Sequence, residues 1–283
     1  MTQGFDDDQF DQWRDLLETR TGMRYTRDRR SLFSTQIKQR MLEVGFGDLQ
    51  AYYHAVTARG AAAESEWQTL LDYLTVQETR FFRDPQALEL VTKHVRIQWA
   101  RDDHPFQAWS VGCATGEEAY SLAMILAEQA RNSDHTRHYS VTGSDISAPA
   151  IHKARLGRYR ARLLTPVPRH LRARYFSVDE NSDQADICPQ LANSLCFTRM
   201  NVLDLNEAPL SNMDLVYCQN LLIYFPRWRR RELVSQLVTK LRPGGLLVLG
   251  PGELTGYTHP DLISIPNRQC LAFLRKHRTE REG

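Results

Sequence analysis

The sequence predicts an α/β fold: a doubly wound, mostly parallel sheet, with an N-terminal helical domain in front of it and a small β insertion within it. Three observations predict this. Up to Leu74 the apolar residues recur only at helical spacing. From Phe106 onward, short apolar strands alternate with helices. Polar clusters then follow four successive strand ends, as expected where such a sheet binds a ligand.

The helical part reads in order. Phe10, Trp13, Leu16 and Leu17 form the first apolar face, and Leu32-Phe33, Ile37, Met41-Leu42 and Val44 the second. Leu49, Tyr52-Tyr53 and Val56 follow, then Trp67, Leu70-Leu71 and Leu74. Gly22, Gly45, Gly47 and Gly60 punctuate these segments. Asp84-Pro85 is a cap followed by a first-position proline, opening a helix with Leu88, Val91 and Val95. We expect a helical domain over 1–88, a linker helix over 89–105 and the α/β domain over 106–283.

In the α/β part, strands are expected at Gln107 to Val111, His138 to Gly143, Asp214 to Cys218, Leu246 to Gly250 and Cys270 to Arg275. Helices are expected at Glu117 to Glu128, from Pro149 to Leu156 and from Trp228 to Leu241. Between Tyr175 and Met200 the alternation breaks, and an insertion is expected around 176–197.

Composition excludes several classes. Of 283 residues, 42% are hydrophobic and 25% charged, an ordinary globular mix. No apolar run approaches the ~18 residues that span a bilayer. Met1 to Asp8 is acidic and polar, unlike a signal peptide. The five cysteines are scattered without any C-x-x-C pair, so neither a disulfide framework nor a metal site is expected, and the thiols read as those of a reduced, cytoplasmic protein. The net charge of +2 is unevenly spread. Arg20 to Arg40 holds seven basic residues and one acid, and Lys153 to Arg174 holds eight and none. Such patches draw anionic partners or are solvated faces.

The strongest chemical signal follows the first strand. Gly112-Cys113-Ala114-Thr115-Gly116-Glu117-Glu118 is a glycine turn opening a helix. It lacks the G-x-G-x-x-G dinucleotide pattern, with Ala114 in place of a second glycine. Asp145, ending the second strand, suits the hydroxyls of a ribose. Asn201-Val202-Leu203-Asp204 and Tyr217-Cys218-Gln219-Asn220 lie at later strand ends. Glu117, Glu118 and Asp145 would repel a pyrophosphate, so the ligand should combine ribose with positive charge. S-adenosylmethionine has both, which favours a methyltransferase over a dehydrogenase.

The ordered motifs then identify a resemblance. Thr75-Val76-Gln77-Glu78-Thr79-Arg80-Phe81-Phe82-Arg83, Thr115-Gly116-Glu117-Glu118 with Tyr120-Ser121, Asp145-Ile146, Asn220-Leu221-Leu222-Ile223-Tyr224-Phe225 and Leu241-Arg242-Pro243-Gly244-Gly245 all resemble motifs of the chemotaxis protein methyltransferases, the CheR family. The likeness covers nearly the whole chain. It implies a Rossmann-like methyltransferase sheet, S-adenosylmethionine as cofactor and glutamate side chains of a methyl-accepting chemoreceptor as acceptors. It further implies cofactor contacts from Gln77, Thr79, Arg83, Gly112, Glu118, Asp145, Asn201, Val202, Cys218 and Gln219. Arg83 and Tyr224 would stand at the transferred methyl. Many relatives have arginine where Gln219 stands.

The basic face of the second helix, Arg30, Lys38 and Arg40, is expected to meet the acidic methylation helix of the receptor. No membrane insertion and a monomer are expected. A glutamate acceptor is already ionised at neutral pH, so no general base is required. Two other readings remain open at this point. One is a nucleic-acid methyltransferase using the basic stretches, which the absence of an Asp/Asn-Pro-Pro-Tyr type sequence disfavours. The other is a degenerate cofactor-binding partner, raised by Gln219. Some relatives also bind a C-terminal receptor peptide through a glycine-turn β insert. Ser177 to Met200 has no glycine and is acidic, so no such tether is expected here, with Asn181 the residue suited to a positive φ.

Overall fold

The computed structural model describes residues 5–75, 77–179, 182–266 and 270–277. Helices α1 (Asp7–Thr21), α2 (Arg30–Glu43), α3 (Leu49–Thr57) and α4 (Ala61–Leu74) form the N-terminal part. Their ends follow from local chemistry. Asp6 accepts from the Gln9 N–H at 2.7 Å while the Gln9 side chain accepts from the Asp6 N–H at 3.2 Å, a reciprocal cap for α1. Gly22, at φ 73°, ends it.

Helix α5 (Pro85–Arg101) starts at the Asp84 cap and buries Leu88, Val91, Val95 and Trp99 against the sheet. The stretch expected as a linker helix is therefore one of the layers of the α/β part, because its apolar stripe needs a partner. The chain continues through β1 (Phe106–Val111), α6 (Glu117–Arg131), β2 (Tyr139–Asp145), α7 (Ala148–Leu156), β3 (Arg158–Arg160), α8 (Arg169–Tyr175), β4 (Phe176–Asp179), β5 (Gln184–Ile187), α9 (Pro189–Ala192), β6 (Leu195–Arg199), β7 (Met213–Cys218), α10 (Arg227–Lys240), β8 (Leu241–Leu249), β9 (Leu262–Ile265) and β10 (Leu271–Arg275).

Among the described residues, seven strands form one sheet in the order β6-β2-β1-β7-β8-β10-β9. The first five are mutually parallel, and β10 is antiparallel to both β8 and β9. The order reverses at β1, which opens a crevice at the strands' carboxyl ends. One face of the sheet carries α5 and α6. On the other, the core of the helical part runs without a break into Trp109, Val111, Val216 and α10.

The insertion differs from its expected place. Strands β3, β5 and β4 make a separate three-stranded antiparallel sheet, whereas Leu195–Arg199 pairs with β2 as the edge of the main sheet. The short β3, only three residues, has too little pattern to read. Just before β5, Asp183 takes φ 51°, a left-handed conformation without glycine. Asn181 lies outside the described residues.

Both basic stretches are largely consumed by internal partners. Arg155 donates twice to the Phe197 carbonyl (2.6 and 3.1 Å), Arg174 grips Glu128 (2.5 and 2.6 Å), Arg158 pairs with Asp186 (2.7 Å) and Arg172 donates to the Leu164 carbonyl (2.8 Å). This argues against a phosphate-tracking strip. In the helical part, Arg30 pairs with Asp7 and donates to the Phe5 carbonyl, and Lys38 lies 5.7 Å from the Phe5 ring centre. Arg40 binds Glu66 through two bonds of 2.9 and 2.7 Å, and Tyr52 donates to the same carboxylate at 2.7 Å. Two of the three charges expected to face a receptor helix thus already have carboxylate partners within the domain.

The Arg40–Glu66–Tyr52 cluster ties α2 to α3 and α4. Arg40→Ala should lower the stability of the protein by about 1–2 kcal/mol, because the partly buried Glu66 loses its cation. Thermal unfolding of the variant checks this, and an unchanged midpoint would show that the cluster contributes nothing.

Candidate functional site

The sheet's crevice holds a cavity of about 310 Å³ lined by residues from five separate chain segments: Arg29; Thr79, Phe82 and Arg83; Gly112, Ala114 and Glu118; Asp145; and Gln219 with Leu221 and Tyr224. A smaller cavity of about 60 Å³ shares Asp145, Leu221 and Tyr224 with it and adds Met23, Tyr25, Leu74, Gln77 and Ile146. A third, open cavity of about 680 Å³ begins on the far side of Ile146 and reaches Asn201. Gln77, Thr79, Arg83, Gly112, Glu118, Asp145, Gln219 and Tyr224 are thus gathered around one crevice, with Asn201 at its outer edge.

Two residues with expected cofactor contacts stand differently. The Cys218 side chain is fully buried in the core, and the residue lines none of these cavities. Val202 packs on the same core and lines none of these cavities. Arg30, Lys38 and Arg40 are absent from the lining as well.

The backbone around the cavity is unusual. Phe82 (φ 50°), Ala114 (φ 47°) and Asn220 (φ 60°) all take the left-handed region, which costs a non-glycine residue on the order of 1 kcal/mol or more. Ala114 shows what such strain achieves. Its N–H points at Asp145 and donates to Oδ2 at 2.9 Å, while Oδ1 accepts from the Ser147 N–H at 2.9 Å. The Asp145 carboxylate is thereby fixed at the end of β2. At Gly112 (φ 75°), an added Cβ would lie 3.1 Å from Leu221, so the turn sits directly against the Leu221 loop.

Electrostatics set this crevice apart. Burial raises the carboxyl groups of Glu117, Asp145 and Glu253 above their ordinary range. Burial, together with the nearby Glu253, pushes Glu118 up to about 8, against a hydrogen bond from the Ser110 hydroxyl at 2.6 Å. Around the mouth stand cations: Arg29 and Arg80, both exposed, and Arg83, which donates to the Glu78 carbonyl at 3.0 Å. Gln219 is buried, accepting from the Tyr217 hydroxyl at 2.9 Å and donating to Asp84 at 3.0 Å. No positive charge therefore occupies that position.

Sequence reasoning missed several of these parts. Arg24, Tyr25 and Arg29 come from the turn between α1 and α2, and their sole signal was membership of a basic cluster. Glu253 accepts from the N–H groups of Leu222 (3.0 Å) and Gly250 (2.7 Å). Arg230 donates to the carbonyls of Phe225 (2.7 Å), Glu253 (3.0 Å) and Ile223 (3.2 Å). Together they clamp the turn that carries Tyr224. Glu253 belongs to no periodic pattern, and Arg230 is one of four closely spaced arginines.

A parallel sheet with a ligand crevice at its switch point, walled by carboxylates and by a glycine turn, defines an α/β methyltransferase that uses S-adenosylmethionine. The residues present fit that cofactor. The Gln77 amide oxygen is buried without a hydrogen-bond partner, open to a donor, and the enclosed carboxylates call for positive charge. Comparison with known proteins agrees: residues 77–269 match the model of the CheR methyltransferase, SAM binding domain, and residues 8–75 that of the CheR methyltransferase, all-alpha domain. The chain belongs to the CheR methyltransferase family. It is 30% identical to chemotaxis protein methyltransferase 2 of Vibrio cholerae serotype O1, over 87% of this chain and 85% of that one. It is 29% identical to the chemotaxis protein methyltransferase of Salmonella typhimurium, over 84% and 81%. It is also 30% identical to the probable biofilm formation methyltransferase WspC of Pseudomonas aeruginosa, over 86% of this chain and 56% of that one.

The raised Glu118 has a testable consequence for the ligand-free protein. Its folded value of about 8 exceeds the ordinary 4.5, so the folded state holds a proton that the unfolded state releases. Stability is therefore lost as pH rises from about 4.5 to about 8. Glu118→Gln should remove that loss, and the ligand-free variant should melt above the wild type at pH 8.5 but not at pH 4.5. Equal melting temperatures at pH 8.5 would show that Glu118 is not held protonated.

Proposed function

We propose that this protein methylates glutamate side chains of a methyl-accepting chemoreceptor, forming glutamate methyl esters. The observation that carries this reading is the division of charge in one cavity. Its inner wall presents enclosed carboxylates, suited to a cationic cofactor, and its mouth presents three arginines, Arg29, Arg80 and Arg83, beside one acid, Glu78, a cationic balance suited to an anionic acceptor. The Vibrio and Salmonella relatives are chemotaxis protein methyltransferases, which supports a place in a chemotaxis pathway.

In this reading Asp145 holds the ribose, Glu118 the amino end of the methionine portion, and Gln77 and Thr79 close over the cofactor from the helical side. Asn201 and the Val202 backbone flank the adenine, and the backbone at Cys218 with the Gln219 side chain completes the wall near Gly112. When bound, the cofactor would supply a methyl group on sulfonium sulfur for transfer to the acceptor carboxylate oxygen, with S-adenosylhomocysteine as the other product.

The protein's own contribution is placement. A glutamate of reference pKa ~4.3 arrives ionised, so no residue must take a proton, and no histidine or cysteine lines the two inner cavities among the described residues. Arg83 and Tyr224 orient the carboxylate oxygen. Such alignment is worth on the order of 7–11 kcal/mol in favourable systems. Phe82, Leu221 and Ile223 exclude water, which favours a step in which opposite charges cancel.

No helix among the described residues is long and apolar enough to cross a membrane. A protein acting on the cytoplasmic helices of a receptor, as a monomer and without nucleic acid, fits this reading. The β insertion takes no part in it, since its Ser177 to Met200 stretch has no glycine for the turn that some relatives use to hold a receptor peptide.

Two outcomes are expected. Asp145→Ala should weaken cofactor binding by ~1.5–3 kcal/mol through loss of a charge-assisted hydrogen bond, and calorimetry showing wild-type affinity would reject the ribose role. With methyl-labelled cofactor and receptor-containing membranes, label should enter the receptor and leave as methanol in mild alkali. Label that stays bound in alkali would show that the acceptor is not a carboxylate.

A further inference from the structure

The start of α10 carries an exposed surface beside the cavity mouth. Trp228 leaves 58% of its surface in solvent and Ile223 leaves 47%. Ile223 lines the cavity itself, and Trp228 follows five residues later, within the first turn of α10. Arg227 and Arg231 are exposed and one helical turn apart, on either side of Trp228. Neither side chain donates a hydrogen bond or pairs with a carboxylate among the described residues, whereas their neighbours Arg229 and Arg230 are bonded to Glu232 and to the Phe225 carbonyl. The opposite face of α10 buries Leu233, Val234, Leu237 and Val238 in the core, so this helix is rigidly seated.

The neighbouring residues hold this surface in shape. Arg229 lies over the Trp228 ring at 4.2 Å and is fixed by Glu232 at 2.7 Å, which orients the indole. The Arg230 bonds to the carbonyls of Phe225, Ile223 and Glu253 join the start of α10 to the turn bearing Ile223 and Tyr224. A partner that engages Trp228 is therefore held in fixed relation to the transfer site. Tryptophan, tyrosine and arginine are the residues most enriched among those that dominate interface energetics. The free N–H groups at the start of α10 add further positive potential.

We infer that Ile223, Arg227, Trp228 and Arg231 form the docking surface for the acidic, amphipathic acceptor helix. The inference rests on the proposed acceptor, a helix bearing glutamates. Such a helix must place one carboxylate at Arg83 while its neighbouring carboxylates stand outside the cavity, and its apolar residues need a dry contact. Arg227 and Arg231 match the former, and Ile223 and Trp228 the latter. This places a receptor contact on the α10 side of the mouth, apart from the basic face of α2, where Arg30 and Arg40 already have carboxylate partners.

The test measures methyl transfer from labelled cofactor into receptor-containing membranes as a function of receptor concentration. The full-length protein is compared with Arg227→Glu/Arg231→Glu, with Trp228→Ala and with the control Arg160→Glu/Arg162→Glu on the β insertion. The two α10 variants should raise KM for receptor about tenfold or more, the charge reversal more strongly at low salt. Their affinity for S-adenosylhomocysteine and their melting temperatures should stay at the wild-type level, and the control should leave KM unchanged. Replacing acidic residues that flank the target glutamates by lysine in the receptor should restore transfer by the charge-reversed enzyme, which a merely structural defect would not allow. Wild-type KM in both α10 variants, or an equal rise in the control, overturns the surface while leaving the proposed function standing. Failure of the wild-type enzyme to label any receptor overturns the proposed function and this occupant with it.

Discussion

Burying a carboxylate without a cation or donors is costly, and this fold encloses Glu117, Glu118, Asp145 and Glu253 at one end of its sheet. Much of the surrounding architecture offsets that cost. Asp145 draws N–H groups from Ala114 and Ser147, Glu253 from Leu222 and Gly250, and Glu118 takes the Ser110 hydroxyl. Burial pushes Glu118 up to about 8, because one hydroxyl is a poor substitute for hydration. In the proposed reading it is the group whose charge a bound cation would restore.

The same constraint explains where strain is kept. Ala114 is held in a left-handed conformation so that its N–H meets Asp145, and Asn220 and Phe82 take similar conformations on the opposite walls. Strain at three walls of one cavity persists because the sheet, α5 and the Arg230–Glu253 clamp leave the backbone no alternative. The helical part is joined to this frame by a continuous core and by Gly22, where an added Cβ would press within 3 Å of Leu203. The helical segment that supplies Tyr25 and Arg29 to the cavities is consequently positioned by packing rather than by a flexible hinge.

The sequence made the crevice legible because a parallel sheet places its binding residues at strand ends, where glycine and short polar runs interrupt apolar ones. Gly112, Asp145, Asn201 and Gln219 were each visible in that way. Residues outside the pattern were not. Arg29 and Arg80 reach the mouth from loops with no period, and Glu253 is buried by tertiary contacts that no local signal records. Charge patches misled for a related reason: Arg40 and Arg174 look solvated in sequence, yet Glu66 and Glu128 arrive from other helices to pair with them. The three-residue β3 and the edge strand β6 were confused with each other's surroundings, since pairing partners decide their sheet.

Proton release on cofactor binding tests the role of the enclosed carboxylates most directly. Calorimetric titration with S-adenosylmethionine at pH 7, repeated in buffers of different ionisation enthalpy, gives the number of protons released. Since Glu118, raised to about 8, is mostly protonated in the ligand-free protein, binding should release close to one proton per cofactor, and Glu118→Gln should abolish most of that release. Binding with no net proton release, or with uptake, would contradict the view that a cationic ligand neutralises a carboxylate held protonated by burial.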